Sequence, residues 1–523
     1  MNYRPLLLSV ATGVLAWLAW PDSSFTFFIF FAWIPLLFLA AETRSTKKFF
    51  LLSYISLLIW NIGTTWWIWN ATAPGAIAAW LANSFLMSIP WVGYHRLLQK
   101  KSSWFSGVSL IAFWLCFEYI HLQDWGLSWP WLTLGNVFAK QIEWVQWYAV
   151  TGVAGGSLWV LVTNLLLFSY INSVRNKDGK RIRFLLFSAI ALLSPLLISY
   201  VLFPKQDNPA GIKQEVIIVQ PNIDPYKKVT AGTEQEQLNG LLALTEEATN
   251  SNTTLVLWPE TALYSRYGYN ESALQEEKNL APIFEYLQSK SRVSVFTGIE
   301  SYNLLKKPTS YSRIIPGTET HFEAYNGALL LDSTGVQATY HKSRLVPGVE
   351  TLPWFLRFLD TWFEKFGGVT AGYAKQEQRV TLEEKNGFKL APAICYESIY
   401  GDFMRQYIKK GANLLTIITN DGWWKNTPGH RQHLLYARLR AVETRRWVAR
   451  SANTGISAFI DPTGNLISTL GYNKRGILKA AIAPAANRLT IYVKYGDWLF
   501  QVFCLLAIIV LGKSLWARFQ SER

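Results

Sequence analysis

Long apolar runs constrain this chain more than any single residue does. Seven lie in its first part, near residues 5–20, 25–41, 49–68, 76–94, 104–120, 147–170 and 184–203, and an eighth covers about 493–512. Runs of about 17–25 apolar residues are long enough to cross a hydrocarbon core as helices. In lipid every backbone N–H and C=O must be satisfied internally, which a helix does segment by segment. We therefore expect about eight transmembrane helices. Between the seventh and eighth runs lies a stretch of mixed composition, about 206–488, large enough for a core of its own. The chain then divides into a membrane domain of seven helices (1–205), a globular domain (206–488), and a closing helix with a short tail (489–523). Its 16% of charged residues and its 25 tryptophans fit that division better than they fit a soluble protein of 523 residues.

The loops give an orientation. One alternating set of short segments holds Arg4, then Arg44, Lys47 and Lys48, then Arg96, Lys100 and Lys101. It continues with Arg175, Lys177, Lys180, Arg181 and Arg183 and ends with Lys513, Arg518 and Arg523. The other set offers Lys140 alone, a split of 15 to 1. The positive-inside rule assigns the basic set and both termini to the cytoplasm, and the globular domain to the far side of the membrane. The same segments carry most of the net charge of +15, so a nucleic-acid partner is not needed to explain it. The first run lacks a small-x-small cleavage site before Pro21 and is read as a retained helix, not a signal peptide.

The globular stretch alternates short β-rich runs with helical patterns. The runs are 215–220, 254–258, 294–299, 327–331, 390–395, 413–419 and 456–460; the helical patterns include 234–249, 280–290 and 431–448. Such alternation predicts an α/β layered domain. Residues 203–211, rich in Pro, Lys, Asp and Asn, read as the tether to the seventh helix.

Three strand ends bring chemistry together. Glu260 follows the run Leu-Val-Leu-Trp-Pro. Lys342 follows Tyr340-His341. Cys395 closes Leu-Ala-Pro-Ala-Ile. Cys395 is the one cysteine of the globular stretch; the other two, Cys116 and Cys504, lie in apolar runs. It is either a small buried hydrophobe or a nucleophile. A nearby carboxylate can take a thiol proton, and a nearby cation favours the thiolate. That cation, with the backbone N–H of Tyr396, could receive the oxyanion of a tetrahedral intermediate.

Together these motifs resemble the nitrilase superfamily and, within it, the membrane-embedded family of apolipoprotein N-acyltransferases. The resemblance covers nearly the whole chain. It includes Trp-Pro-Glu at 258–260, the run from Tyr340 to Pro347, Cys-Tyr-Glu at 395–397, Thr-Asn-Asp-Gly-Trp at 419–423, and Arg-Ala at 440–441 with Asn453 and Gly455. In the membrane half it extends to Glu118 and Ser128-Trp129-Pro130-Trp131. It implies an αββα sandwich with Glu260 as general base, Lys342 as transition-state stabiliser and Cys395 as the acyl-accepting nucleophile. It further implies Glu350, Glu397 and Trp423 as supporting positions. The family's Pro-Phe-Gly-Glu is replaced here by Pro347-Gly348-Val349-Glu350, so the turn before the acid must differ.

The activity implied is N-acylation of lipoproteins in two steps. An acyl chain passes from a membrane phospholipid to Cys395, and then to the α-amino group of an N-terminal diacylglyceryl-cysteine. Its partners are then a phospholipid donor, a diacylated apolipoprotein acceptor and the bilayer; no cofactor and no metal are implied, and a monomer is expected. The location implied is a bacterial inner membrane with the catalytic domain periplasmic. A membrane-anchored amidase using the same triad with water is the alternative, and a transporter with a ligand-binding exported domain is a more distant one. Three other features stay open. His430 and His433, at i, i+3, could form a metal pair, but no third ligand has convincing spacing. Arg438, Arg440, Arg445, Arg446 and Arg450 read either as a headgroup site or as a solvated helix face. The stretch 349–363, with Trp354, Phe355, Phe358 and Trp362, reads either as an interfacial segment or as a core helix.

Overall fold

The computed structural model describes residues 3–204, 212–227, 232–315, 317–351, 372–485 and 488–521. It divides into two compact units. The first comprises residues 1–66, 74–203 and 495–523; the second comprises 67–73 and 204–494.

The first unit is helical: α1 (Arg4–Leu18), α2 (Ile34–Glu42), α3 (Thr46–Thr65), α4 (Ala73–Leu98), α5 (Ser103–His121), α6 (Val153–Arg175), α7 (Arg181–Leu202) and the closing helix (Trp498–Ser521). Six helices among the described residues are long and apolar enough to cross a membrane. The first two apolar runs fall short of the expected length. They form Arg4–Leu18 and a broken segment, Thr26–Glu42, in which a 3-10 turn over Thr26–Phe30 precedes α2. Pro35 explains the break, since it stands in the first turn of α2, where a missing N–H costs nothing.

Small residues let these helices approach. Ser9 Oγ donates to the Leu52 carbonyl at 2.7 Å, and a Cβ on Gly13 would fall 2.5 Å from the Ser56 carbonyl oxygen. Around them lies an aromatic core. The ring of Trp33 sits 5.4 Å from Trp60, 5.4 Å from Trp91 and 5.5 Å from Trp114, within the range where ring pairs attract. Glu118, buried in α5, accepts from Trp114 Nε1 at 2.9 Å and from the Leu134 N–H at 2.8 Å.

The second unit is two sheets. The first orders its strands β14-β1-β2-β4-β6-β5, from Gly476–Ile482 (β14), Gln214–Gln220 (β1), Thr253–Leu257 (β2), Ser294–Leu305 (β4), His321–Asp332 (β6) and Arg313–Ile314 (β5). Tyr269–Asn270 (β3) pairs with β4, and Gly335–His341 (β7) with β6. The second sheet runs β13-β12-β11-β10-β9-β8, from Leu466–Leu470 (β13), Ser457–Ile460 (β12), Trp447–Ala452 (β11), Leu414–Thr419 (β10), Lys389–Ile394 (β9) and Leu382–Glu383 (β8).

Strands β1, β2 and β4 are parallel neighbours, as are β9, β10 and β11. Each set is crossed by helices: α8 (Glu234–Ala248) and α9 (Ala281–Ser289) in the first, α10 (Gly401–Lys409) and α11 (Pro428–Thr444) in the second. Leu241, Ile283 and Leu287 of α8 and α9 share a core with Ile217, Val256 and Leu329 of the first sheet. The sheets meet face to face, where Ser451 Oγ donates to the Val219 carbonyl at 2.9 Å and Ser457 Oγ to Gln220 Oε1 at 2.6 Å. The order is helix, sheet, sheet, helix, which is the expected αββα sandwich. Every residue of β10 is buried, as a strand covered on both faces requires.

The helical pattern read over 431–448 stops at Thr444. Arg445 turns left-handed (φ 54°), and Trp447 begins β11. Residues 205–211 of the expected tether lie outside the described residues.

Candidate active site

The carboxyl ends of parallel strands are where open α/β sheets place their ligands, and here the ends of β2, β7, β9 and β10 supply polar groups. Beyond β2 the chain turns at Pro259 and Glu260. That turn lies directly on β4. A Cβ on Gly298 would fall 2.5 Å from the Thr261 nitrogen, and the Gly298 N–H donates to the Pro259 carbonyl at 3.1 Å. Glu260 is thereby fixed and 7% exposed. Its Oε1 accepts from Asn326 Nδ2 at 2.8 Å and from Lys342 Nζ at 3.4 Å. Its Oε2 accepts from the Asn420 N–H at the end of β10, at 3.0 Å.

Lys342 leaves β7 with its N–H on the Asn326 carbonyl at 2.9 Å. Its ammonium is 1% exposed and donates to Glu350 Oε1 at 2.7 Å. Asn326 Nδ2 also reaches Glu350, at 3.0 Å. Two carboxylates therefore share one ammonium and one amide. Burial alone would lower the Lys342 pKa, but Glu350 and then Glu260 outweigh it and hold the group above the ordinary lysine value. Glu350 arrives by a tight turn over residues 347–350. Gly348 takes φ 76°, its N–H donates to the Thr351 carbonyl at 2.8 Å, and Glu350 Oε2 accepts the Val346 N–H at 2.8 Å. The acid keeps its reach because Gly348 absorbs the left-handed step.

Cys395 sits where β9 gives way to a 3-10 turn, Cys395–Ile399, and it too is left-handed (φ 52°). A non-glycine residue there carries strain of about 1–3 kcal/mol, which the surroundings must hold. Glu397 holds it. Wholly buried, it accepts from the Ile394 N–H at 2.7 Å, the Ser343 N–H at 2.6 Å, the Arg344 N–H at 3.1 Å and the Tyr340 hydroxyl at 2.8 Å. The Cys395 turn and the lysine loop hang on one carboxylate. Burial pushes the Glu397 pKa up, and the Ile394 and Ser343 N–H groups pull against it.

The thiol is not activated as the charge pattern alone suggests. Burial first, and Glu260 second, push the Cys395 pKa above the ordinary thiol range; Lys342 lowers it by less. The resting side chain is a neutral thiol beside a carboxylate. Thr419 lies within hydrogen-bond reach of it.

Sequence reading missed a second network behind Cys395. His433 Nδ1 faces Asp421 Oδ1 at 2.9 Å, its Nε2 lies 3.1 Å from the Cys395 carbonyl, and Arg450 donates to Asp421 Oδ2 at 2.6 Å. Burial would raise the Asp421 pKa, but Arg450 and His433 hold it below the ordinary carboxyl range. Cys395, Asp421 and His433 bring potential metal-ligating atoms within 4.8 Å of one another. They make a poor cation site, because the Arg450 guanidinium already occupies Asp421.

The remaining expectations divide. His430 contacts Asn426 at 3.1 Å and stacks on Tyr472, so it is engaged apart from His433. The arginine group is neither a headgroup site nor a solvated face. Arg438 donates to the Gly464 carbonyl, Arg440 to the Ile399 carbonyl, Arg445 to the Pro462 carbonyl and Arg446 to the Arg488 carbonyl. Tyr396 is buried, and its hydroxyl accepts from Tyr400 at 3.0 Å. Trp423 is 44% exposed; its carbonyl accepts from the Tyr226 hydroxyl at 2.6 Å, and the two rings meet edge to face. Trp354, Phe355, Phe358 and Trp362 lie outside the described residues.

Residues 216–492 match the family model described as carbon-nitrogen hydrolase, and residues 12–166 match that described as apolipoprotein N-acyltransferase N-terminal domain. A protein of Chlorobaculum tepidum named apolipoprotein N-acyltransferase is 29% identical over 94% of this chain and 93% of its own. One of Azotobacter vinelandii with the same name is 28% identical over 89% and 86%. Among solved structures, an amidase of the nitrilase superfamily from Nesterenkonia superposes with a TM-score of 0.36 and 18% identity, over 55% of this chain and 95% of its own.

Proposed function

Because this chain belongs to the carbon-nitrogen hydrolase family and joins that domain to membrane-spanning helices, we propose that it is an apolipoprotein N-acyltransferase. It moves a fatty acyl chain from a phospholipid, through a thioester on Cys395, to the α-amino group of an N-terminal S-diacylglyceryl-cysteine. The observation that carries this reading is the buried cluster of Glu260, Lys342 and Glu350 acting on the charge of the Cys395 thiol.

The chemistry follows from that cluster. Since the thiol rests protonated, attack and proton transfer proceed together. Sγ bonds to the ester carbonyl carbon as its proton passes to Glu260. The oxyanion that forms meets the Lys342 ammonium and the Tyr396 N–H. Glu260 returns the proton to the departing glycerol oxygen, and a lysophospholipid leaves. The lipoprotein amine then attacks the thioester, Glu260 takes its proton, and the sulfur leaves as thiol. Glu350 and Asn326 keep Lys342 aimed. Glu397 positions both loops. The membrane frame has an energetic reason: drawing a chain of about sixteen carbons into water would cost roughly 12 kcal/mol at about 0.8 kcal/mol per CH₂.

We place the chain in a bacterial inner membrane as a monomer, with eight crossings counting the two shorter segments. Both termini are cytoplasmic and the catalytic domain is periplasmic. The 15-to-1 split of basic residues between alternate loops supports this. A reporter fused after Arg523 reads cytoplasmic under this topology; a periplasmic reading would sink it.

The reaction is tested by incubating the protein with a phospholipid carrying a tagged acyl chain. The expected adduct on Cys395 is cleaved by hydroxylamine and discharged by a diacylated lipopeptide. Discharge by water at the same rate would make the protein a membrane-anchored hydrolase using the same triad instead.

A further inference from the structure

A cavity of about 360 Å³ opens within the membrane unit between α4, α5 and the closing helix. Its walls are hydrocarbon, from Leu86 and Ile89 on α4, Phe113 and Phe117 on α5, and Ala507 and Leu511 on the closing helix. Two residues of α4 make room for it. Pro90, inside the helix, has no N–H to return to the Leu86 carbonyl. Gly93 has no side chain, and a Cβ there would come within 3.0 Å of the Phe113 ring.

His121, the last residue of α5, lines the same cavity and is 4% exposed. Its Nε2 accepts the Trp129 N–H at 3.1 Å, so the neutral ring carries its proton on Nδ1. That buried N–H has no hydrogen-bond partner among the described residues. Donors in such surroundings are nearly always paired, so this one points to an acceptor supplied from outside the chain. From Phe113 to His121, α5 rises about 12 Å at about 1.5 Å per residue. One leaflet of hydrocarbon is about 15 Å deep.

We propose that this cavity is a phospholipid site, with one acyl chain lying along α5 and an ester carbonyl oxygen accepting the His121 Nδ1–H. Depth, lining and the unpartnered His121 donor at one end select a glycerolipid: the chain needs the carbon walls, and the ester is the polar group that meets the imidazole. Its lining belongs wholly to the membrane unit, and the proposal does not depend on acyl transfer.

The test uses full-length Cys395→Ala protein, so that no lipid is consumed, in nanodiscs of phosphatidylethanolamine and phosphatidylglycerol. A small fraction of the phosphatidylethanolamine carries a diazirine in one acyl chain. After illumination, labelling on α4, α5 and the closing helix is expected to exceed that on α7 by about tenfold, the ratio for a site preferred by about 1.4 kcal/mol. α7 is the reference for ordinary lipid contact because Leu185, Leu186, Ile190, Leu193 and Leu197 stand exposed along it. Gly93→Leu, which fills the cavity, should bring the label down to the α7 level. Ala507→Phe, from another helix, should do the same and guards against misfolding of the first variant. His121→Phe should lower labelling while leaving the walls intact. Equal labelling of the cavity and α7, wild-type labelling in both filled variants, or capture of a free diazirine fatty acid but not of the phospholipid would each overturn the proposal.

Discussion

In the membrane unit a buried hydroxyl such as Ser88 donates to the carbonyl one turn back, Ser84, at 2.8 Å; Ser109 does the same to Phe105 at 2.7 Å. In the catalytic unit Glu397 gathers donors from Tyr340, Ser343 and Arg344, more than fifty residues away, and Glu260 accepts from Asn420, 160 residues on. The membrane unit also has distant ties, such as Asn164 to the Ile29 carbonyl at 2.9 Å, but its hydroxyls mostly close within their own helices. A helix in lipid must satisfy itself before it packs, so its polar bonds are short in sequence. A site assembled from strand ends is long-range by construction. Damage should therefore stay local in one unit and spread in the other.

The sharpest way to break this contrast is chemical. Cys395→Ala should abolish acyl transfer, a loss on the order of 10⁴-fold or more, while leaving the thermal unfolding of the full chain unchanged. If activity persists, the nucleophile is elsewhere. Glu397→Ala comes next. It strips the acceptor from three N–H groups and a hydroxyl, and should cost about 3–5 kcal/mol in denaturant titrations as well as activity. A loss below about 1 kcal/mol would mean that the two loops hold without their shared anchor.

Glu350→Gln should reduce kcat by about 10–100-fold with little change in KM, because it weakens the hold on Lys342 without removing the ammonium. An unchanged kcat would leave Glu350 as a turn residue only. The thiol offers a pH test with a definite sign. Its pKa is held above the ordinary value, chiefly by burial and then by Glu260. Iodoacetamide should therefore alkylate Cys395 about tenfold more slowly than a free thiol at pH 8, and faster as pH rises past 9. Glu260→Gln, which removes the neighbouring negative charge, should speed that alkylation although it stops catalysis. A slower rate would show that Glu260 activates the resting thiol. Smallest of all, Ser88→Ala should shift stability by about 0.6 kcal/mol or less, since its bond is local. A cost like that of Glu397→Ala would erase the contrast between the units.

Much of the candidate site was legible because Glu260 and Cys395 each end a recognisable β run, β2 and β9, while Lys342 was legible from the motif at 340–347 and not from a run over β7. The rest was hidden for reasons of distance. Asn326 lies inside β6, where nothing local distinguishes it from any other strand residue, yet it bridges Glu260 and Glu350. Arg450 stands in a run of arginines that looks solvated, and its partner Asp421 is 29 residues away. The edge strands β13 and β14 escaped because many of their residues are exposed and carry little apolar pattern. The break in the second apolar run was hidden for a simpler reason: a hydropathy sum does not register that Pro35 opens a new helix after the turn over Thr26–Phe30.

Hanging two loops from Glu397 has a consequence for how this sequence can vary. A lesion at residue 397 removes neither thiol nor ammonium, yet it frees both from their appointed places together. In a survey of random substitutions, positions 342, 395 and 397 should therefore behave as one gene-like unit of failure, with double variants hardly worse than single ones. The molecule has concentrated its intolerance in a residue that is wholly buried and makes its contacts within the chain.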